Sequence, residues 1–192
     1  MDLNYGSLGV GLALAGYIFF ITGILFNKME LRASSWFLLA IINTINMAVR
    51  WLLGVNVDVL SMYVIGTWVV FLIVLFHDRA FDWNSNDTKI TGLILICLLS
   101  WIIIGAEATV TVSAVCTALA VLLQYLTYRK FPDRKAVGVW LVFMFANTCI
   151  FMGAKDWSWN EICYPILNAP LGFVIVITNL KKSPTRTLNS DS

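Results

Sequence analysis

SSWFLLAIINTINMAVRWLL, residues 34–53, is long and apolar enough to cross a bilayer as a helix, yet it carries polar groups along one side. Asn43, Asn46 and Arg50 stand at i, i+3 and i+7, which places them on one helical face. In hydrocarbon an unpaired amide costs about 1–3 kcal/mol and an unpaired guanidinium more, so such a stripe must face protein or a water-filled cavity. The stripe either joins helices or lines a solute path.

Hydrophobic residues make up 59% of the 192-residue chain and charged residues 12%, with a mean hydropathy of +0.81. These values lie outside the range of soluble domains and predict an all-α integral membrane protein. Seven apolar runs follow one another: Gly6 to Phe26, Ser34 to Leu53, Val57 to Phe76, Ile90 to Gly105, Thr109 to Tyr128, Val137 to Met152 and Trp159 to Leu180. Each is predicted to be a transmembrane helix, and residues 1–180 then form a single seven-helix membrane domain. Residues 181–192, rich in Ser, Thr, Asn and Lys/Arg, read as a mobile cytoplasmic tail. The first run has no basic segment before it, so it reads as a retained helix rather than a signal peptide.

Charge sets the expected orientation. With the N-terminus outside, 11 of the 13 basic residues fall on the inner side, leaving Arg50 and Lys155 outside. That asymmetry predicts an N-outside, C-inside protein, multi-pass in the cell (inner or plasma) membrane. The net charge of +2 reports this orientation, and no nucleic-acid-binding patch is read in it. Cys97, Cys116, Cys149 and Cys163 lack metal-site spacing and are expected to be free buried thiols. The only histidine, His77, opens the loop Asp78 to Lys89, which reads as the longest connection.

An internal repeat organises the runs. WFLLAIINT at 36–44 and WLVFMFANT at 140–148 share Trp, Asn and Thr at a single offset of 104 residues. The runs then divide into repeat one (6–76), a plain linker helix (90–105) and repeat two (109–180). An odd linker gives both three-helix repeats the same orientation, the parallel-repeat layout of small transporters, whose sites lie near mid-depth between the halves. Trp36 pairs with Trp140 and Asn43 with Asn147, whereas Asn46 meets Ile150 and has no mate. The last run adds Asn168 between Pro165 and Pro170, and Pro170 cannot donate to the carbonyl of Ile166. Gln124 places a further amide in the fifth run.

This 3+1+3 plan resembles the SWEET sugar transporters and the PnuC vitamin transporters. Trp140, Phe143 and Asn147 are similar to the PnuC pattern of two tryptophans followed by asparagine, with Phe143 in the place of the second tryptophan. In that pattern the aromatics sandwich a nicotinamide ring and the amide bonds to it, and Trp36 and Asn43 would be the first-half counterparts. Pro165 and Asn168 resemble the SWEET Pro-Asn element, whose asparagine contacts sugar; Ile65 or Gly66 would stand at the matching first-half position. The resemblance implies a vitamin or nucleoside such as nicotinamide riboside as solute, with a sugar as the alternative.

The expected substrate-binding set is therefore Trp36, Asn43, Asn46, Gln124, Trp140, Phe143, Asn147 and Asn168, with Arg50 as an outer gate or interface residue. Amides and aromatic faces without a mid-depth carboxylate suit a neutral polar solute with a flat ring or apolar face. The lack of an intramembrane acid or histidine favours facilitated diffusion by alternating access over proton coupling. No cofactor, metal or catalytic residue is expected. The expected partners are the lipid bilayer and a small-molecule solute, and an oligomer is compatible with the sequence but not specified by it. An enzyme would need a cluster of acids, histidines or activated nucleophiles at one depth, and none is present in the sequence. A retinal photoreceptor would need a mid-span lysine in the last run, which has none. A non-transporting receptor or assembly protein is the remaining alternative.

Overall fold

The computed structural model describes residues 5–27, 29, 31–52, 58–78, 83–105, 108–154, 157 and 159–180. Among them the regular structure is helical: α1 (Tyr5–Asn27), α2 (Ala33–Leu52), α3 (Asp58–Asp78), α4 (Ser85–Ile104), α5 (Thr109–Lys130), α6 (Ala136–Met152) and α7 (Trp159–Leu180). The tail expected at 181–192 lies outside the described residues. By length and composition three helices carry stretches able to cross a membrane: Ser7–Phe26 in α1, Thr111–Lys130 in α5 and Ile162–Leu180 in α7. In α2, α3 and α6 the apolar stretches are shorter, namely Ala33–Ala48, Ser61–His77 and Ala136–Met152. Among the described residues, length and composition thus support three of the seven expected spans.

Helix contacts close into a ring. α1 packs on α3 and α6, α6 on α7, α7 on α5, α5 on α2, and α2 on α3. Exchanging α1, α2 and α3 with α5, α6 and α7 leaves these neighbours unchanged. α4 breaks that exchange, because it stands outside the ring against α5 and, more lightly, α2. The exterior is apolar, with Phe19, Phe26, Ile65, Ile96, Leu99 and Phe173 all exposed. An outer surface of this kind is compatible with lipid and unlike that of a soluble monomer.

The start of α4 corrects the expected linker. α3 runs to Asp78 and α4 begins at Ser85 rather than Ile90, so Asp87 is helical and fully buried. The reason is a reciprocal cap. The Asn84 side chain accepts from the backbone N–H of Asn86 at 2.9 Å, and the Asp87 carboxylate accepts from the Asn84 N–H at 2.7 Å. Asp87 also forms an ion pair with Arg32, in the α1–α2 connection, and accepts the Ser34 hydroxyl at 2.7 Å. Arg32, Lys89, Arg129, Lys130, Arg134 and Lys135 flank the start of α2, the start of α4 and the α5–α6 turn, which together make the basic end of the bundle. At the other end of α4, Gly105 adopts φ +94°, a left-handed helix stop that other residues resist.

Candidate functional site

Inside the ring lies a cavity of about 60 Å³ walled by six helices, with α4 excluded. α2 supplies Trp36, Leu39 and Asn43, and α6 supplies Trp140, Phe143, Met144 and Asn147. Both sets follow from helical spacing: Trp, a bulky apolar residue and Asn recur at i, i+3 and i+7, which is one face of each helix. α1 adds Tyr17 and Phe20, α5 adds Thr117 and Val121, α3 adds Tyr63 and Thr67, and α7 adds Tyr164, Asn168 and Gly172.

The amides are oriented by their own helices. Asn147 Nδ2 donates to the Phe143 carbonyl at 2.9 Å, and Asn168 Nδ2 donates to the Tyr164 carbonyl at 2.9 Å. A carbonyl only accepts, so the amide nitrogen must be the group turned toward it, which commits each side-chain oxygen elsewhere. Both oxygens are buried and have no hydrogen-bond partner, as are the indole N–H groups of Trp36 and Trp140. Leaving such a group unpaired costs about 1–3 kcal/mol, so four together form an unsatisfied polar set around one cavity. Two of them accept and two donate. Thr67 and Thr117 bond back to the carbonyls of Tyr63 and Ser113, each at 2.8 Å, and keep only acceptor capacity.

Rings close the space. Phe20 stands edge-on between Trp36 and Trp140, with centroids 4.8 and 5.7 Å away. Tyr63 and Tyr164 approach to 6.4 Å on the other side. Tyr17 bridges the two groups, 6.5 Å from Trp36, 6.1 Å from Tyr63 and 5.2 Å from Phe143. These edge-to-face contacts add to the burial of large apolar surfaces and fix ring positions.

Of the expected binding residues, the cavity gathers Trp36, Asn43, Trp140, Phe143, Asn147 and Asn168. It does not gather Asn46 or Gln124. Asn46 is buried one turn beyond Asn43, away from the lining. Gln124 is 1% exposed and its oxygen accepts the Arg32 backbone N–H at 3.1 Å, so it fastens the α1–α2 connection to α5. The side chain of Arg50 lies outside the described residues. Ile65 is 63% exposed, so the first-half position matching Asn168 is Thr67 instead. Ile166 and Pro170 are exposed as well, so the proline break faces away from the cavity. None of the four cysteines forms a disulfide, although only Cys116 and Cys163 are fully buried.

The tyrosines and Thr67 were not expected. Their signal is a second offset: Tyr63 with Thr67 and Tyr164 with Asn168 recur 101 residues apart. The shorter offset arises within the helices, because α6 ends five residues after Asn147 whereas α2 ends nine after Asn43. Comparisons with protein-family models, curated proteins and solved structures gave no match.

Proposed function

We propose that the chain is a multi-pass membrane transporter that moves a small polar solute with a flat ring by facilitated diffusion, its two three-helix halves alternating access to the central cavity. The observation that carries this reading is the cavity at the centre of the helix ring, where two amide oxygens and two indole N–H groups are buried without partners. A packing role would leave them paired with one another; a passing solute pairs them transiently. The unchanged neighbour relations under exchange of the helix triplets support two related halves. The lining carries no carboxylate or basic group, which favours a solute that is neutral or whose charge is delocalised on its ring. Nicotinamide riboside is of the second kind: its carboxamide offers both a donor and an acceptor, and aromatic faces tolerate its pyridinium charge.

The cavity is smaller than the roughly 300 Å³ at which small-molecule sites begin, so it must widen to load. Thr67 and Asn168 on corresponding helices favour a second reading, a SWEET-like sugar transporter. Uptake of labelled nicotinamide riboside and of labelled glucose into expressing cells separates the two. Saturable uptake of the first, reduced in Asn147→Ala at equal expression, is the expected result. Uptake of glucose alone would support the second, and stabilisation by either ligand without flux would point to a receptor.

A further inference from the structure

The ring has two seams between its halves, α2 against α5 and α1 against α6, and they are built differently. Across the α2–α5 seam the contacts are directional. Ser35 Oγ donates to the Ala120 carbonyl at 2.7 Å, and the Arg32 N–H to Gln124 at 3.1 Å. α4 fastens the same side: Asp87 holds Arg32 and Ser34, and Cys116 Sγ reaches the Ile94 carbonyl at 3.9 Å.

The α1–α6 seam is close but smooth. A methyl group on Gly9 would stand 2.6 Å from Ile150 Cγ1 and 2.9 Å from the Ala146 carbonyl, and one on Gly16 would stand 2.7 Å from the Phe143 ring. Asn147, on the cavity side of α6, donates within its own helix to the Phe143 carbonyl, and Tyr17 and Phe20 meet Phe143 and Trp140 across the seam ring on ring. In water, tight packing of this kind would mark the seam as the fixed one. In a bilayer the opposite follows, because lipid tails replace apolar contacts at little cost, whereas they cannot replace a hydrogen bond or an ion pair.

Building on the transporter reading, we propose that the halves rock about the α2–α5 seam, which α4 staples, and that the α1–α6 seam is the side that parts. Both seams would part equally in a symmetric rocker, so the added helix makes the motion one-sided. Small residues at Gly9 and Gly16 let α1 and α6 close fully, and apolar and ring contacts in place of directional bonds such as those of Ser35 and Arg32 let them separate.

Spin-label distances in nanodiscs test this without depending on flux. On a background with Cys97, Cys149 and Cys163 changed to alanine and Cys116 to serine, which keeps a donor for the Ile94 carbonyl, one label pair at Leu8 and Met152 reports the α1–α6 seam and another at Ala48 and Thr111 reports the α2–α5 seam. The Leu8–Met152 distance distribution is expected to be at least twice as wide, and Asp87→Asn, which keeps an acceptor oxygen but removes the charge, to widen only the Ala48–Thr111 one. Equal widths, whether narrow or broad, or a wider Ala48–Thr111 distribution would overturn the proposal. Unequal widths in a protein that moves neither labelled solute would retire the transporter reading and leave the hinge standing.

Discussion

At Asn147 the side chain spends its donor on its own helix and keeps its oxygen buried and unpaired. Removing it therefore separates stability from function. Asn147→Ala loses one intrahelical bond, worth about 0.5–1.5 kcal/mol, and at the same time relieves an unpaired carbonyl, so the melting temperature should stay close to that of the parent. Transport should suffer more, with KM for the solute rising roughly tenfold, equivalent to about 1.4 kcal/mol. Flux assays and thermal melts on the same preparation check both halves of this expectation. Asp87 behaves in the opposite way. It is fully buried, with every bond made, and its loss would strand Arg32, which is 12% exposed at its side chain, while uncapping α4. Breaking a buried ion pair by removing one partner costs about 3–5 kcal/mol, so Asp87→Ala should unfold in detergent well before the parent while the cavity residues remain untouched.

Among the elements, α1 shows how a small side chain sets a seam. Gly9 and Gly11 lie on the same helix, but a methyl group on Gly9 meets backbone atoms of α6 whereas one on Gly11 meets nothing within 4 Å. Gly11→Ala should therefore be neutral, or stabilising by up to about 1 kcal/mol through helix propensity. Gly9→Ala should wedge the end of the α1–α6 seam opposite the basic end. The expected signature is faster maleimide labelling of Cys149 than in the parent, measured beside Gly11→Ala as the control. Helix identity was legible in the sequence because the apolar runs were long and their polar exceptions few. The start of α4 was hidden because its cap, Asn84 with Asp87, sits in a polar segment that hydropathy assigns to a loop. Gln124 was misplaced for a related reason. An amide among apolar residues looks the same in sequence whether it meets a solute or, as here, a neighbouring backbone N–H.

Taken as a whole, the molecule reveals why one half of the cavity could be read in advance and the other could not. Trp36, Asn43, Trp140 and Asn147 share one offset, so the α2 and α6 walls were visible as a repeat. The α3 and α7 walls carry a different offset, and the rings of Tyr17 and Phe20 have no aromatic mates at the corresponding α5 positions, Val121 and Gln124. Only the closed ring of helices brings them together. The same ring gathers Arg32, Lys89, Arg129, Lys130, Arg134 and Lys135 at one end. Positive charge is retained on the cytoplasmic face during insertion, so that end is expected to lie inside. Two exposed aromatics at opposite ends make the test direct: Phe131 in the α5–α6 turn and Trp157 between α6 and α7. With the native cysteines changed to alanine, Trp157→Cys should react with a membrane-impermeant maleimide in intact cells. Phe131→Cys should react only after permeabilisation. Labelling of Phe131→Cys alone would reverse the orientation and leave the halves parallel, whereas labelling of both in intact cells would mean that α6 does not span and would overturn the parallel arrangement.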